Sequence, residues 1–125
     1  MSLSITNTTK GKLPRLPFAK IADAVLGTEY DCSLVIVKPR KSHELNKTYR
    51  GKDKPTNILS FPLDEESGEI ILDLETSRKD APLFDRSYTN FIAFLFVHGL
   101  FHLKGYDHGP EMEKLEKKIR RKFNI

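Results

Sequence analysis

Apolar and polar positions along this chain change period several times, and each change marks an element. "LSITNTT", residues 3–9, holds enough β-branched side chains for a first strand. Pro14 and Pro17 then open a helix in which Phe18, Ile21, Ala22, Val25 and Leu26 share a face, and Gly27 stops it. "CSLVIV", residues 32–37, is apolar without alternation, the pattern of a buried strand, and Pro39 closes it. A second helix is expected over about Ser42 to Tyr49, with Ser42 as its cap and Gly51 as its stop.

"TNILSFP" and "EIILDL" are short strand patterns on either side of "LDEESG", whose acids and glycine suit a turn, so the two predict a hairpin. The segment "LDLETSRKDAPLFDRS" reads as a polar connection. Ser87 or Thr89 caps a helix expected from about Asn90 to Lys104, which is apolar nearly all round and therefore belongs at the centre of a domain. The last segment begins at Pro110 and spaces Met112, Leu115, Ile119 and Phe123 by three or four, the stripe of an amphipathic helix. Its acids, Glu111, Glu113 and Glu116, lie early and its bases late, as the helix dipole favours.

A chain of 125 residues without repeats or low-complexity tracts is expected to form one domain over residues 1–125. Its longest apolar run, Phe91 to Val97, is far short of the roughly 18 residues of a membrane span. The N-terminus lacks the pattern of a secretory signal, and the lone Cys32 sits in an apolar strand where it reads as a core thiol; both suit the cytoplasm. The net charge of +4 is unevenly spread. From Lys38 to Lys54 seven bases stand against Glu44 and Asp53, a cluster able to attract a polyanion such as RNA, while residues 64–75 hold six acids and no base.

The candidate chemistry lies in "FVHGLFHLKGYDHG", residues 96–109. His98 and His102 are four apart, so a helix projects both rings from one face. Gly105 lets the chain turn back and bring His108 to the same point. Three imidazoles leave one position open on a zinc ion, as hydrolytic metalloenzymes require. The spacing repeats the long zincin signature H-E-x-x-H-x-x-G-x-x-H, except that Gly99 stands where the catalytic glutamate would be, which argues against a peptidase. Asp107 is placed to orient a ligating imidazole, to act on a metal-bound water or to stabilise the turn.

A second segment, "LNKTYRGKDKPTNILSFP", gathers Lys47, Arg50, Lys52 and Lys54 before a strand. A guanidinium can hold two phosphate oxygens in fixed geometry, so Arg50 suits a phosphodiester, although on the residues alone a salt bridge to Asp53 or Glu44 is the simpler reading.

Taken together, "ELNKTYRGKDKPTNILSFP" and "HGLFHLKGYDH" resemble the two motifs of the YbeY family of bacterial endoribonucleases and ribosomal RNA maturation factors, with an alignment from about residue 30 to the end. The resemblance implies an α+β fold, with a small mixed sheet of about four strands packed against a central, buried, histidine-bearing helix and other helices. It further implies one zinc ion on His98, His102 and His108. The implied activity is hydrolysis of single-stranded RNA in small-subunit ribosomal RNA processing and ribosome quality control. Arg50 falls on the arginine that the family relies on, which favours a catalytic and substrate-binding role over the salt bridge. Lys52 and Lys54 fall on matching basic positions as further substrate contacts. Ribosomal or assembly proteins are further expected partners; DNA and membranes are not. Phe101 replaces a leucine, Glu69 replaces an aspartate, and residues 73–88 diverge, so no role transfers to that segment.

Three functions compete on these grounds: a zinc-dependent RNA hydrolase, a non-catalytic ribosome-assembly factor whose zinc orders the helix end, and the peptidase that Gly99 disfavours. For the hydrolase, motif spacing does not distinguish water from a ribose hydroxyl as the attacking group.

Overall fold

The computed structural model describes residues 3–125, so the first two residues of the expected 1–125 domain lie outside it. The elements in chain order are β1 (Leu3–Asn7), α1 (Phe18–Leu26), β2 (Asp31–Val37), α2 (Pro39–Arg50), β3 (Ile58–Asp64) and β4 (Ser67–Asp73). They continue with α3 (Leu74–Asp80), a 3-10 turn at Ala81–Phe84, α4 (Tyr88–Leu103) and α5 (Pro110–Phe123). The fold is α+β, with one mixed sheet in the order β1-β2-β4-β3. β2 is parallel to both β1 and β4, and β3 pairs antiparallel with β4 in the expected hairpin.

The unbroken apolar run of β2 follows from burial on both faces of the sheet. Leu34 and Ile36 of β2, with Ile70 and Leu72 of β4, join the main core, to which α1, α4 and α5 contribute. Val37, Leu59 and Ile71 point the other way and pack with Val35, Leu45 of α2 and Phe61. α4 lies at the centre as its composition predicts: Phe91, Ile92, Phe96, Val97 and Leu100 expose no surface. Cys32 is a buried thiol, and burial pushes its pKa up to about 11.

Two expectations are corrected. α2 begins at Pro39 rather than Ser42, because proline's fixed φ suits the first turn of a helix, where its missing N–H is not needed. Ser42 is instead a buried residue inside the helix, and its hydroxyl donates to Asp73 Oδ2 at 2.6 Å. The "polar connection" after β4 is also structured, as α3 and the 3-10 turn. Seven helical residues burying only Leu74 and Ser77 are too few to show a period.

Asp73 joins these corrections together. It is fully buried, caps α3 by accepting from Thr76 N–H at 2.9 Å, and also accepts from the Thr76 hydroxyl at 2.7 Å. Its own N–H donates to the Asn57 carbonyl at 3.0 Å, and Ser42 Oγ accepts from Thr56 N–H at 3.3 Å. One residue thus ties α2, α3 and β4 to the segment that leads into β3. Asp73→Ala removes a helix cap and leaves the Ser42 hydroxyl buried without its acceptor. We expect it to cost about 3 kcal/mol, read as a lower urea midpoint with unchanged slope, and Asp73→Asn to cost less because asparagine also caps helices.

Candidate metal centre

The histidine site is built by the way α4 ends. Gly105 takes a positive φ of 100°, a conformation that side chains resist. This lets Gly105 N–H donate to the His102 carbonyl at 3.0 Å and Tyr106 N–H to the Phe101 carbonyl at 3.1 Å. That pair of bonds is the Schellman ending, and the apolar contact that accompanies it is supplied by the Phe101 and Tyr106 rings, edge to face at 5.8 Å. Phe101 is buried, so the ring that departs from the family's leucine has a packing role. The reversal brings His108 to the two helix histidines. One nitrogen from each of His98, His102 and His108 lies within 4.8 Å of the others.

Hydrogen bonds on the far side of two rings decide which nitrogens face inward. His102 Nδ1 is 3.0 Å from the Tyr106 carbonyl oxygen, which can only accept, so Nδ1 carries the hydrogen. His98 Nδ1 likewise donates to Glu116 Oε2 at 3.0 Å. Both Nε2 atoms therefore present lone pairs, and they lie 3.1 Å apart. Two lone pairs at that distance repel unless a cation lies between them. A proton suits the place poorly, because burial and then the neighbouring His98 lower the His102 pKa and favour its neutral form. A metal suits it well: Zn–N bonds of about 2.0–2.1 Å in tetrahedral geometry put ligand nitrogens roughly 3.3 Å apart.

From its sequence position alone, Glu116 reads only as an early acid that suits the helix dipole. It comes from α5, is 7 % exposed, and also lies 3.8 Å from Arg120. A signal was present: with Met112 and Ile119 on either side at four and three residues, Glu116 falls inside the apolar stripe, where a carboxylate needs a partner. Glu116→Gln keeps the shape but weakens the acceptor behind His98. The expected result is metal affinity lowered about 10–100-fold by chelator competition, while a melt of the metal-free protein reads separately what weakening the Arg120 pair costs.

Gly99 is a packing position, which accounts for the absent glutamate. A Cβ there would lie 3.0 Å from Ser60 Oγ, 3.1 Å from Ile58 Cδ1 and 3.3 Å from Ile70 Cδ1. A larger side chain there would have to displace these three side-chain ends. Ser60 Oγ also donates to the Gly99 carbonyl at 3.1 Å, fixing β3 against the helix.

The three histidines line one open cleft of about 910 Å³, together with the end of α2, the first half of β3, Phe84 and the loop from Gly105. Arg50, the last residue of α2, lines it too. The simpler salt-bridge reading loses its acids: Asp53 bonds His43 at 2.7 Å and lies 3.9 Å from Lys47, and Glu44 pairs with Lys41. Asp107 also lines the cleft and is exposed, while the two helix imidazoles take their hydrogen-bond acceptors from Glu116 and Tyr106. Lys52 and Lys54 are exposed, and among the described residues that line the cleft neither is found. No helix in the described residues is long and apolar enough to cross a membrane.

Comparison with known proteins identifies the family. The family model described as Endoribonuclease YbeY matches residues 5–124, well beyond the expected alignment from residue 30. The protein named endoribonuclease YbeY from Desulfitobacterium hafniense is 38% identical, over 94% of this chain and 85% of its own. Its namesake from Aliarcobacter butzleri is 33% identical over 98% and 93%, and that from Nautilia profundicola 39% identical over 78% and 76%. A solution structure of a Thermotoga maritima protein superposes with a TM-score of 0.66 at 27% identity, covering 97% of this chain and 92% of that one. A family match over nearly the whole chain, relatives of this identity and coverage, and an imidazole cluster formed by the motif's own histidines lead to one conclusion: the chain belongs to the YbeY endoribonuclease family.

Proposed function

We propose that this chain, a single domain, is a zinc-dependent, single-strand-specific endoribonuclease that processes small-subunit ribosomal RNA and serves ribosome quality control in the cytoplasm. The observation that carries the reading is the meeting of three imidazole donors and Arg50 in one open cleft. His98, His102 and His108 hold one zinc ion, which when bound supplies a Lewis acid to polarise a phosphoryl oxygen or activate a nucleophile.

The protein's own groups do the rest. Glu116 and the Tyr106 carbonyl hold the two helix imidazoles in the tautomer that presents Nε2 to the cleft. Arg50 binds the non-bridging oxygens of the phosphodiester and stabilises the charge that builds on them as phosphorus is attacked. Lys52 and Lys54 lie beyond the cleft residues, where they attract the strand and contact flanking phosphates.

The test compares zinc content and cleavage of single-stranded RNA in the wild type and in variants of Arg50 and the histidines. Zinc bound at one per chain, with cleavage lost in both kinds of variant, is the expected result. Zinc present with cleavage insensitive to Arg50 and the histidines would favour the assembly-factor reading instead.

A further inference from the structure

The cleft carries an aromatic lining that the metal chemistry does not use. Tyr49 is 64 % exposed and Phe84 51 % exposed, and both line the same cleft as the imidazoles. Each is backed by a second ring. Phe84 stacks on Phe91 with centroids 4.9 Å apart and planes 28° from parallel, and Phe91 exposes no surface. Tyr49 meets Phe61 edge to face at 5.1 Å. A ring supported on one side and open to the cleft on the other is a fixed platform, so little side-chain freedom is lost when a flat ligand covers it.

The backbone holds both rings where they stand. Phe84 ends the 3-10 turn, and Asp85 follows with a φ of 53° and donates its N–H to the Pro82 carbonyl at 3.2 Å. Tyr49 directly precedes Arg50 on the last turn of α2. Both residues line the cleft, so a strand whose phosphate reaches Arg50 runs through the same cleft as the Tyr49 ring.

We infer that Phe84 and Tyr49 are stacking platforms for unpaired nucleobases of the strand whose phosphate reaches Arg50 and the imidazoles; this rests on the RNA-cleaving reading above. Two uncharged aromatic faces beside a guanidinium fit a ligand that alternates flat apolar rings with anionic links, which is a single nucleic-acid strand. Bases inside a duplex give their faces to one another, so such platforms select single strands without reading sequence.

Fluorescence anisotropy on the zinc-loaded full chain, with every strand carrying 2′-O-methyl riboses to keep it intact, tests this. The probes are labelled oligoadenylate, an abasic strand of equal length and charge, and an RNA duplex. Wild type is expected to bind oligoadenylate more tightly than either of the others. Phe84→Ala and Tyr49→Ala should each weaken that binding about five- to a hundredfold and leave abasic binding unchanged. Phe84→Tyr should restore it, while Phe84→Leu, which keeps apolar bulk, should not. Equal wild-type affinity for base-bearing and abasic strands would overturn the stacking inference alone, independently of whether any variant folds. Failure to bind any RNA would remove the RNA-cleaving reading as well.

Discussion

His102→Ala is expected to abolish stoichiometric zinc and to lower cleavage of single-stranded RNA by on the order of a thousandfold, while the fold persists. The ring is only partly buried, and its neighbours on α4, Phe101 and Leu103, form the packed surface that holds the helix in place. Removing it also removes one of two lone pairs that face each other at 3.1 Å, so the metal-free variant should be no less stable than the metal-free wild type. Metal analysis and a thermal melt read the two halves of this result separately. Full zinc content in the purified variant would show that the ion is held elsewhere.

Arg50→Ala is expected to separate binding of the metal from use of it. Arg50 lines the cleft from α2, an element that supplies none of the three imidazoles, so zinc content should stay at the wild-type level. Cleavage should fall about a hundred- to a thousandfold, the usual effect of removing one group that stabilises charge in a transition state. Arg50→Lys should recover only part of this, since an ammonium keeps the charge but cannot offer two parallel donors to phosphate oxygens. Wild-type kinetics in Arg50→Ala would leave the guanidinium as a surface group.

These effects depend on features that the sequence shows to different degrees. The spacing of His98, His102, Gly105 and His108 is a local matter: one helical turn, a glycine at the helix end and a reversed loop suffice to join the rings. Arg50 was legible only through the family motif, because its use depends on a cleft built from α2, β3 and α4 together. The 3-10 turn that presents Phe84 lies in the divergent segment and is too short for any period to announce it.

The order of strands was likewise open. A hairpin is suggested by neighbouring segments, but the parallel pairing of β2 with β4 joins residues thirty-six positions apart, such as Val35 with Ile71, across an intervening helix and strand. Its selection came from the two-sided apolar character of β2, which needs helices on both faces and a strand on each edge.

By itself, the sequence determined the helix and strand periods, the buried centre formed by α4 and the three-imidazole spacing, since each is set by residues within about a turn or two of one another. Only the tertiary structure decided that Glu116 of α5 would stand behind His98, that Gly99 would lie against β3 and β4, and that Tyr49 and Phe84 would share one cleft. The physical reason is the same in each case. The partners come from different elements, and what brings them together is the packing of apolar surfaces, which acts without direction and leaves no mark in the local order of residues.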